Sequence, residues 1–175
     1  MSETITVEEA GSEEEIIDSL LYLTFKIENE LLALDVSRVR EVLDLCAITR
    51  VPRTPDYMRG VINLRGSVIP VIDLRLRFGM SKTEATIDSR IVVIELAREG
   101  AEVVVGLVTD SVQDVIEIGW DQIDESPQIG AQWRTDYIDG IGKQGGRFIL
   151  LLNIDRVFAD NGVGRSEWQR EQTSD

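Results

Sequence analysis

MRGVINLRGSVIPVIDLRLRFGM, Met58 to Met80, holds two β-rich runs, GVINL and SVIPVIDL, on either side of the dipeptide Arg65-Gly66. Two apolar stretches of strand length around a two-residue break read as a hairpin, with Gly66 supplying the backbone freedom that a tight turn needs. Pro70 has no N–H to give to a ladder, so the second strand is expected at a sheet edge or bulged at that point.

The same signal recurs on both sides. Upstream, LLYLTFKIE alternates Leu21, Leu23, Phe25 and Ile27 with Tyr22, Thr24 and Lys26, the period of a half-buried strand, and LLALD returns after the turn ENE. DVSRVREVLDLC then changes period: Val36, Val39, Leu43 and Cys46 fall at helical spacing, Asp35 stands at a capping position, and Arg40 precedes Asp44 by four. A short helix is predicted there. ITRVPRTPDYMRG, with two prolines, is a loop. Downstream, SRIVVIELA and AEVVVGLVTDSVQDVIEI are joined by REGAE, and the second is long enough to bend between Thr109 and Ser111. After the loop GWDQIDESPQIG, YIDGIGKQGGRFILLLNI turns at KQGG, and DRVFAD ends in a helical turn. Nine or ten short strands with hairpin connections and little helix predict an all-β protein, a sandwich or small barrels. No internal repeat is apparent.

Residues 1–18 hold seven acidic side chains and no basic one, and are expected to be a solvated tail. One ordered unit is expected over residues 19–160, followed by a second tail over 161–175. An acidic start is the reverse of a secretory signal, and the longest apolar run, FILLLNI, is far short of the roughly 20 residues that span a bilayer. A cytoplasmic location with no membrane insertion is expected. The single cysteine, Cys46, excludes an internal disulfide and is expected to be a small buried hydrophobe.

The formal net charge of -14 argues against nucleic acid as a partner. The average conceals a local reversal, because eight arginines between Arg38 and Arg77 face only Glu41, Asp44, Asp56 and Asp73. The chain uses 15 arginines against three lysines, and guanidinium groups desolvate readily and grip carboxylates with two hydrogen bonds. A protein-binding surface is the expectation.

Zero histidines and one cysteine exclude Ser-His-Asp and Cys-His nucleophiles and thiolate zinc sites. No glycine-bearing turn has the spacing of a nucleotide-binding loop. No metal or cofactor is expected. The remaining catalytic candidate is the carboxylate group Asp121, Asp124 and Glu125 beside Trp120, which suits sugar binding or hydrolysis if two carboxyls face a cleft and is otherwise a solvated loop. A third possibility is self-association through exposed strand edges.

TPDYMRGVINLRGSVIPVIDLRLRFGM strongly resembles the CheW family, the coupling proteins of bacterial chemotaxis arrays. LTFKIENELLALDVSRVREVL is similar to the family's opening segment, RIVVIELAREGAEVVVGLVTDSVQDVIEI to its central strand pair, and YIDGIGKQGGRFILLLNIDRVF to its last hairpin. The resemblance implies two packed five-stranded SH3-like β-barrels, no enzymatic activity, and a bridging role between chemoreceptor cytoplasmic tips and the regulatory domain of the histidine kinase CheA. It also implies an isolated chain that is monomeric and is recruited to arrays at the inner face of the membrane. By motif position, Arg65 in NLRG matches the family's central arginine and Glu41 in REVL the acid that pairs with it. Val36, Val39, Gly60, Ile91, Val92, Gly106, Val112, Val115 and Gly140 match positions tied to partner binding, the apolar ones being equally compatible with core.

Overall fold

The computed structural model describes residues 19–98, 100–124 and 137–159. The acidic head, the last 16 residues and Glu125 lie outside them. Strands follow the apolar runs: β1 (Ser19–Ile27), β2 (Glu30–Asp35), β3 (Val39–Asp44), β4 (Met58–Leu64), β5 (Ser67–Asp73) and β6 (Arg90–Arg98). Then come β7 (Ala101–Thr109), β8 (Ser111–Gly119), the two-residue β9 (Ile123–Asp124), β10 (Ile138–Gln144) and β11 (Arg147–Leu152). Among the described residues, the helical elements are 3-10 turns at Val36–Arg38 and Trp120–Gln122 and short α segments at Leu74–Arg77 and Ile154–Ala159.

The strands form two sheets, of six in the order β8-β1-β2-β11-β10-β9 and of five in the order β3-β6-β7-β5-β4. The all-β expectation holds, with unequal sheets where equal five-stranded units were expected. The long apolar run breaks at Asp110, so that β7 completes one sheet and β8 crosses to the other.

The largest core cluster takes side chains from both sheets, among them Phe25, Leu32, Ile72, Ile94, Leu107 and Phe158. Each sheet also keeps a smaller cluster to itself, one around Tyr22, Ala33 and Leu151, the other around Ile62, Val71 and Ile91. Strands therefore bury both faces where they pass between clusters, which removes the clean alternation that was expected of β1: Tyr22 and Thr24 are as buried as Leu23 and Phe25, and Leu21 is half exposed.

The hairpin at Arg65-Gly66 is the predicted one. Both residues have positive φ, 50° and 89°, the handedness a two-residue turn takes to match strand twist. The Asn63 side chain accepts a hydrogen bond from Gly66 N at 2.8 Å and fixes the bend. Pro70 is tolerated one strand in from the edge for a specific reason. Its partner across β4 is Val61, whose N–H and C=O both go to Thr49, at 2.8 and 2.9 Å. The ladder to β7 starts only at Val71. No hydrogen bond waits at Pro70 for the N–H it lacks.

The short helix predicted after Asp35 is not formed. Asp35 caps, accepting from Ser37 N at 2.9 Å, but the turn ends at Arg38 and the chain extends as β3, paired antiparallel with Ile91 to Ile94 of β6. The apolar spacing from Val36 to Cys46 fits a helix; β3 instead turns Val39, Glu41 and Leu43 to its half-buried side, and Glu41 broke that alternation in the sequence because its charge is matched by a distant arginine. Arg40 and Asp44 consequently do not pair. Arg40 meets Glu95 at 2.9 Å and Asp44 meets Arg90 at 3.4 Å. Cys46, expected to be buried, is exposed in the loop beyond β3.

A repeat missed in the sequence is plain in the structure. Tyr57, Gly60, Gly66, Asp73 and Phe78 recur 80 positions later as Tyr137, Gly140, Gly146, Asn153 and Phe158. The backbone repeats with them: Asp73 N donates to Tyr57 O and Asn153 N to Tyr137 O, both at 2.7 Å. Both hairpins carry a register irregularity two residues after their first strand begins, at Met58/Gly60 and at Ile138/Gly140. Each second strand then pairs in parallel with the second strand of another hairpin, β5 with the later β7 and β11 with the earlier β2.

Candidate functional site

The four arginines of Met58–Met80 divide by partner. Asp73, fully buried, accepts from Arg59 at 3.1 Å and from Thr83 N and Oγ1 at 3.0 and 2.7 Å. It also receives Arg75 N at 3.0 Å, capping the Leu74–Arg77 turn. The Arg75 guanidinium bonds both oxygens of Asp110, at 3.1 and 2.5 Å, which pulls its pKa up and ties that turn to the crossover between β7 and β8. Arg77 lies 5.1 Å from the ring centres of both Tyr57 and Tyr137 and donates to Val157 O at 2.9 Å. Arg75 and Arg77 thus join the two halves of the fold, while Arg59 fastens the first half to itself.

Arg65 differs. From the hairpin tip its guanidinium reaches Glu41 on β3, with NH1 to Oε2 at 2.6 Å and NH2 to Oε1 at 2.9 Å. Its side chain keeps 73% of its exposure and that of Glu41 25%. This bidentate bond holds the Glu41 carboxyl below the ordinary glutamate range and raises Arg65. A pair this open to water adds little to stability. What it does is fix shape: it spans an open hollow of about 470 Å³ whose rim includes Arg40, Leu64, Val68 and Glu102. Val42 and Val68 are exposed apolar residues of the same β3 and β4–β5 region, at 39% and 59%, and sequence reasoning passed over both. The sequence held no signal for Val42, whose place opposite buried Val92 exists only once β3 pairs with β6, and Val68 is set apart from buried Ile69 only by its position next to the turn.

The remaining predicted positions fall into three groups. Val36, in the 3-10 turn, and Val39, at the start of β3, are half-buried, Val39 against the shared core. Ile91 and Val92 have no exposed surface, so no partner touches their side chains in the folded protein. Val112 and Val115 lie on β8 in the other sheet, Val112 against the shared core and Val115 53% exposed. The structure does not gather these positions into one patch.

The three glycines serve close packing. A Cβ on Gly60, at φ 142°, would fall 2.1 Å from Thr49 O; on Gly106 it would meet Ile91 Cγ2 at 2.8 Å; on Gly140 it would meet Ile123 Cγ2 at 2.8 Å and Asp124 O at 2.9 Å. Gly60 and Gly140 are repeat equivalents, each receiving a neighbouring strand or bridge against bare backbone.

The carboxylate candidate does not form a cleft among the described residues. Asp121 and Asp124 are both exposed, at an open hollow they share with Gln122, Ile123 and Lys143. No group of three or more potential metal-ligating side chains occurs among the described residues. No helix among them is long and apolar enough to cross a membrane.

Residues 21–161 match the family model of the CheW-like domain. The chain is 34% identical over 141 residues to the chemotaxis protein CheW of Klebsiella aerogenes, covering 79% of this chain and 81% of that protein. It is 31% identical over 144 residues to the protein FrzA of Myxococcus xanthus, covering 78% and 83%. The crystal structure of the scaffolding protein TtCheW from Thermoanaerobacter tengcongensis matches with a TM-score of 0.72 at 36% identity, over 82% of this chain and 94% of that one. Two interlocked sheets, a bidentate hairpin–strand pair at the surface and a family match over most of the chain agree: this chain belongs to the CheW family of non-catalytic chemotaxis scaffold proteins.

Proposed function

We propose that this protein couples chemoreceptor cytoplasmic tips to the regulatory domain of the histidine kinase CheA, on the cytoplasmic side of the membrane. Its working unit is residues 19–160, with the flanking segments appended to it. The observation that carries the reading is the exposed Glu41–Arg65 pair, because a surface ion pair that contributes little to stability yet is held by two hydrogen bonds is suited to presenting a fixed face to a partner. Val39 stands two positions before Glu41 on the same half-buried side of β3, Val36 lies in the turn that precedes it, and Val115 offers a second apolar contact on the other sheet. Gly60, Gly106 and Gly140, with the buried Ile91 and Val92, act through the shape of the strands that carry these groups.

The test is capture of purified CheA and of receptor fragments by the wild type, Glu41→Arg, Arg65→Glu and the charge-swapped double variant. Both single variants are expected to fold and to lose capture, with partial recovery in the double variant. The wild type is expected to bind kinase without receptor at about 1 μM. Capture of both partners unchanged by either single variant would remove the face from the proposal. Sedimentation of the isolated chain should show a monomer.

A further inference from the structure

β8 carries one residue more than the strand it pairs with. The ladder to β1 joins Leu23 to Val115 and Phe25 to Val112, so that Gln113 and Asp114 together stand opposite the single residue Thr24. This is a β-bulge, and it changes the face on which the following residues lie. Along an uninterrupted strand, residues three apart point to opposite sides of the sheet. Across the bulge, Val112 and Val115 point to the same side, that of Phe25 and Leu23 in the shared core. Ile116 and Ile118 alternate to the other side and pack in the sheet's own cluster with Tyr22. On the first side Val115 is 53% exposed, and Leu21, its diagonal neighbour on β1, is 50% exposed. A regular β8 that kept Val112 in the core would turn Val115 to the Tyr22 side and Ile116 and Ile118 away from their cluster.

A bulge leaves backbone groups of its extra residue without ladder partners, and buried groups of that kind are costly. One side chain meets both here. Thr24 Oγ1 donates to Asp114 O at 2.8 Å and accepts from Asp114 N at 3.0 Å, and Thr24 is only 3% exposed. β8 is also fastened on each side of the bulge, so the extra residue is not relieved by sliding. Before it, Asp110 N donates to Lys26 O at 3.0 Å, and the Asp110 carboxylate accepts from Glu28 N at 2.7 Å and from Arg75. Beyond it, the ladder runs in one register from Leu23 and Val115 to Ser19 and Gly119.

We propose that Thr24 is a positioning residue for partner binding, its buried hydroxyl holding the bulge that sets Val115 beside Leu21 on the exposed side of the β1–β8 pair. The proposal rests on the reading of Val115 as a partner contact. Thr24 acts through the backbone of Asp114 and touches no partner itself. Valine has nearly the shape of threonine and supplies neither hydrogen bond; serine supplies both and lacks the methyl group.

The test compares full-length wild type, Thr24→Val, Thr24→Ser and Val115→Ser by capture of purified CheA and of receptor fragments, and by NMR of amides and methyl groups. The wild type is expected to show a protected Asp114 amide and a contact between the methyl groups of Leu23 and Val115. Thr24→Val is expected to lose both while Ile118 keeps its contacts with Tyr22, and to capture at least one partner about tenfold more weakly. Thr24→Ser is expected to keep the wild-type pattern and capture. Wild-type capture of both partners by Thr24→Val, weakened capture with the Leu23 and Val115 contact unmoved, or a serine variant as impaired as the valine one would each overturn the proposal. Should Thr24→Val not fold, the wild-type Asp114 amide decides, since exchange there as fast as in the exposed loops would overturn it as well. Val115→Ser separates the two readings. Undiminished capture of both partners by that variant would remove Val115 from the coupling surface and this proposal with it, whereas loss in Val115→Ser without loss in Thr24→Val would overturn this proposal alone.

Discussion

Glu41 titrates in a way that reports on its pairing. Its carboxyl lies below the ordinary glutamate range because Arg65 bonds it, with Arg40 adding a smaller attraction. A depressed folded pKa means that the contribution of the pair is present above the pKa of an unfolded glutamate and is lost as pH falls through the lower folded value. In Arg65→Ala the Glu41 midpoint should move up to the ordinary range, read from its side-chain carboxyl carbon by NMR; an unmoved midpoint would mean that the bidentate bond does not persist in solution. The glycines give a contrasting pair. Gly66→Ala meets nothing within 4 Å and should cost only the left-handed backbone penalty, about 1 kcal/mol. Gly60→Ala drives a methyl to 2.1 Å from a backbone oxygen and should cost about 3 kcal/mol or more, measured by urea denaturation. At this scale the sequence showed where the arginines are and not what they hold. Asp73 lies 14 residues from Arg59, and Asp110 lies 35 from Arg75, so no local pattern links them. The apparent surplus of positive charge is largely internal fastening.

At the scale of elements, Asp73 ends β5, caps the turn after it and pins the segment that carries Thr83. Asp73→Ala leaves the partly buried Arg59 guanidinium and the Thr83 donors unmatched, and should destabilise by about 3 kcal/mol. Amide exchange around Thr83 should accelerate by more than the loss of global stability explains. Exchange that merely follows global stability would show that the segment does not depend on the carboxylate. The hairpins were legible because turn chemistry is local: Arg65-Gly66 and Gly145-Gly146 sit where glycine and positive φ are needed. β3 was not, because its assignment depends on β6, some fifty residues on. Val39, Glu41 and Leu43 line the half-buried side only once Arg65 accounts for the charge of Glu41, and a helix fits the same apolar spacing until then.

Across the whole molecule, the two halves of the repeat exchange strands. β3 to β5 of the first half are completed by β6 and β7 of the second, and β1 and β2 are completed by β8 to β11. The five-stranded sheet is one stretch, β3 to β7, set between the two parts of the six-stranded sheet, and both sheets bury side chains in one shared core, so the slowest-exchanging amides of β6 and β11 should report the same opening free energy, and thermal unfolding should be a single transition by every probe. Two separated transitions would contradict the interlock. The repeat escaped the sequence because it survives in a few turn and core positions, Tyr57/Tyr137 and Phe78/Phe158 among them, while the surface between them has diverged. The exchange also has a consequence during synthesis. When β1 to β5 have left the ribosome, β1 still lacks β8, β3 lacks β6 and β5 lacks β7. The first half of the chain is therefore a set of open-edged strands until the second half arrives, and a stalled or truncated nascent chain is the form of this protein most exposed to aggregation.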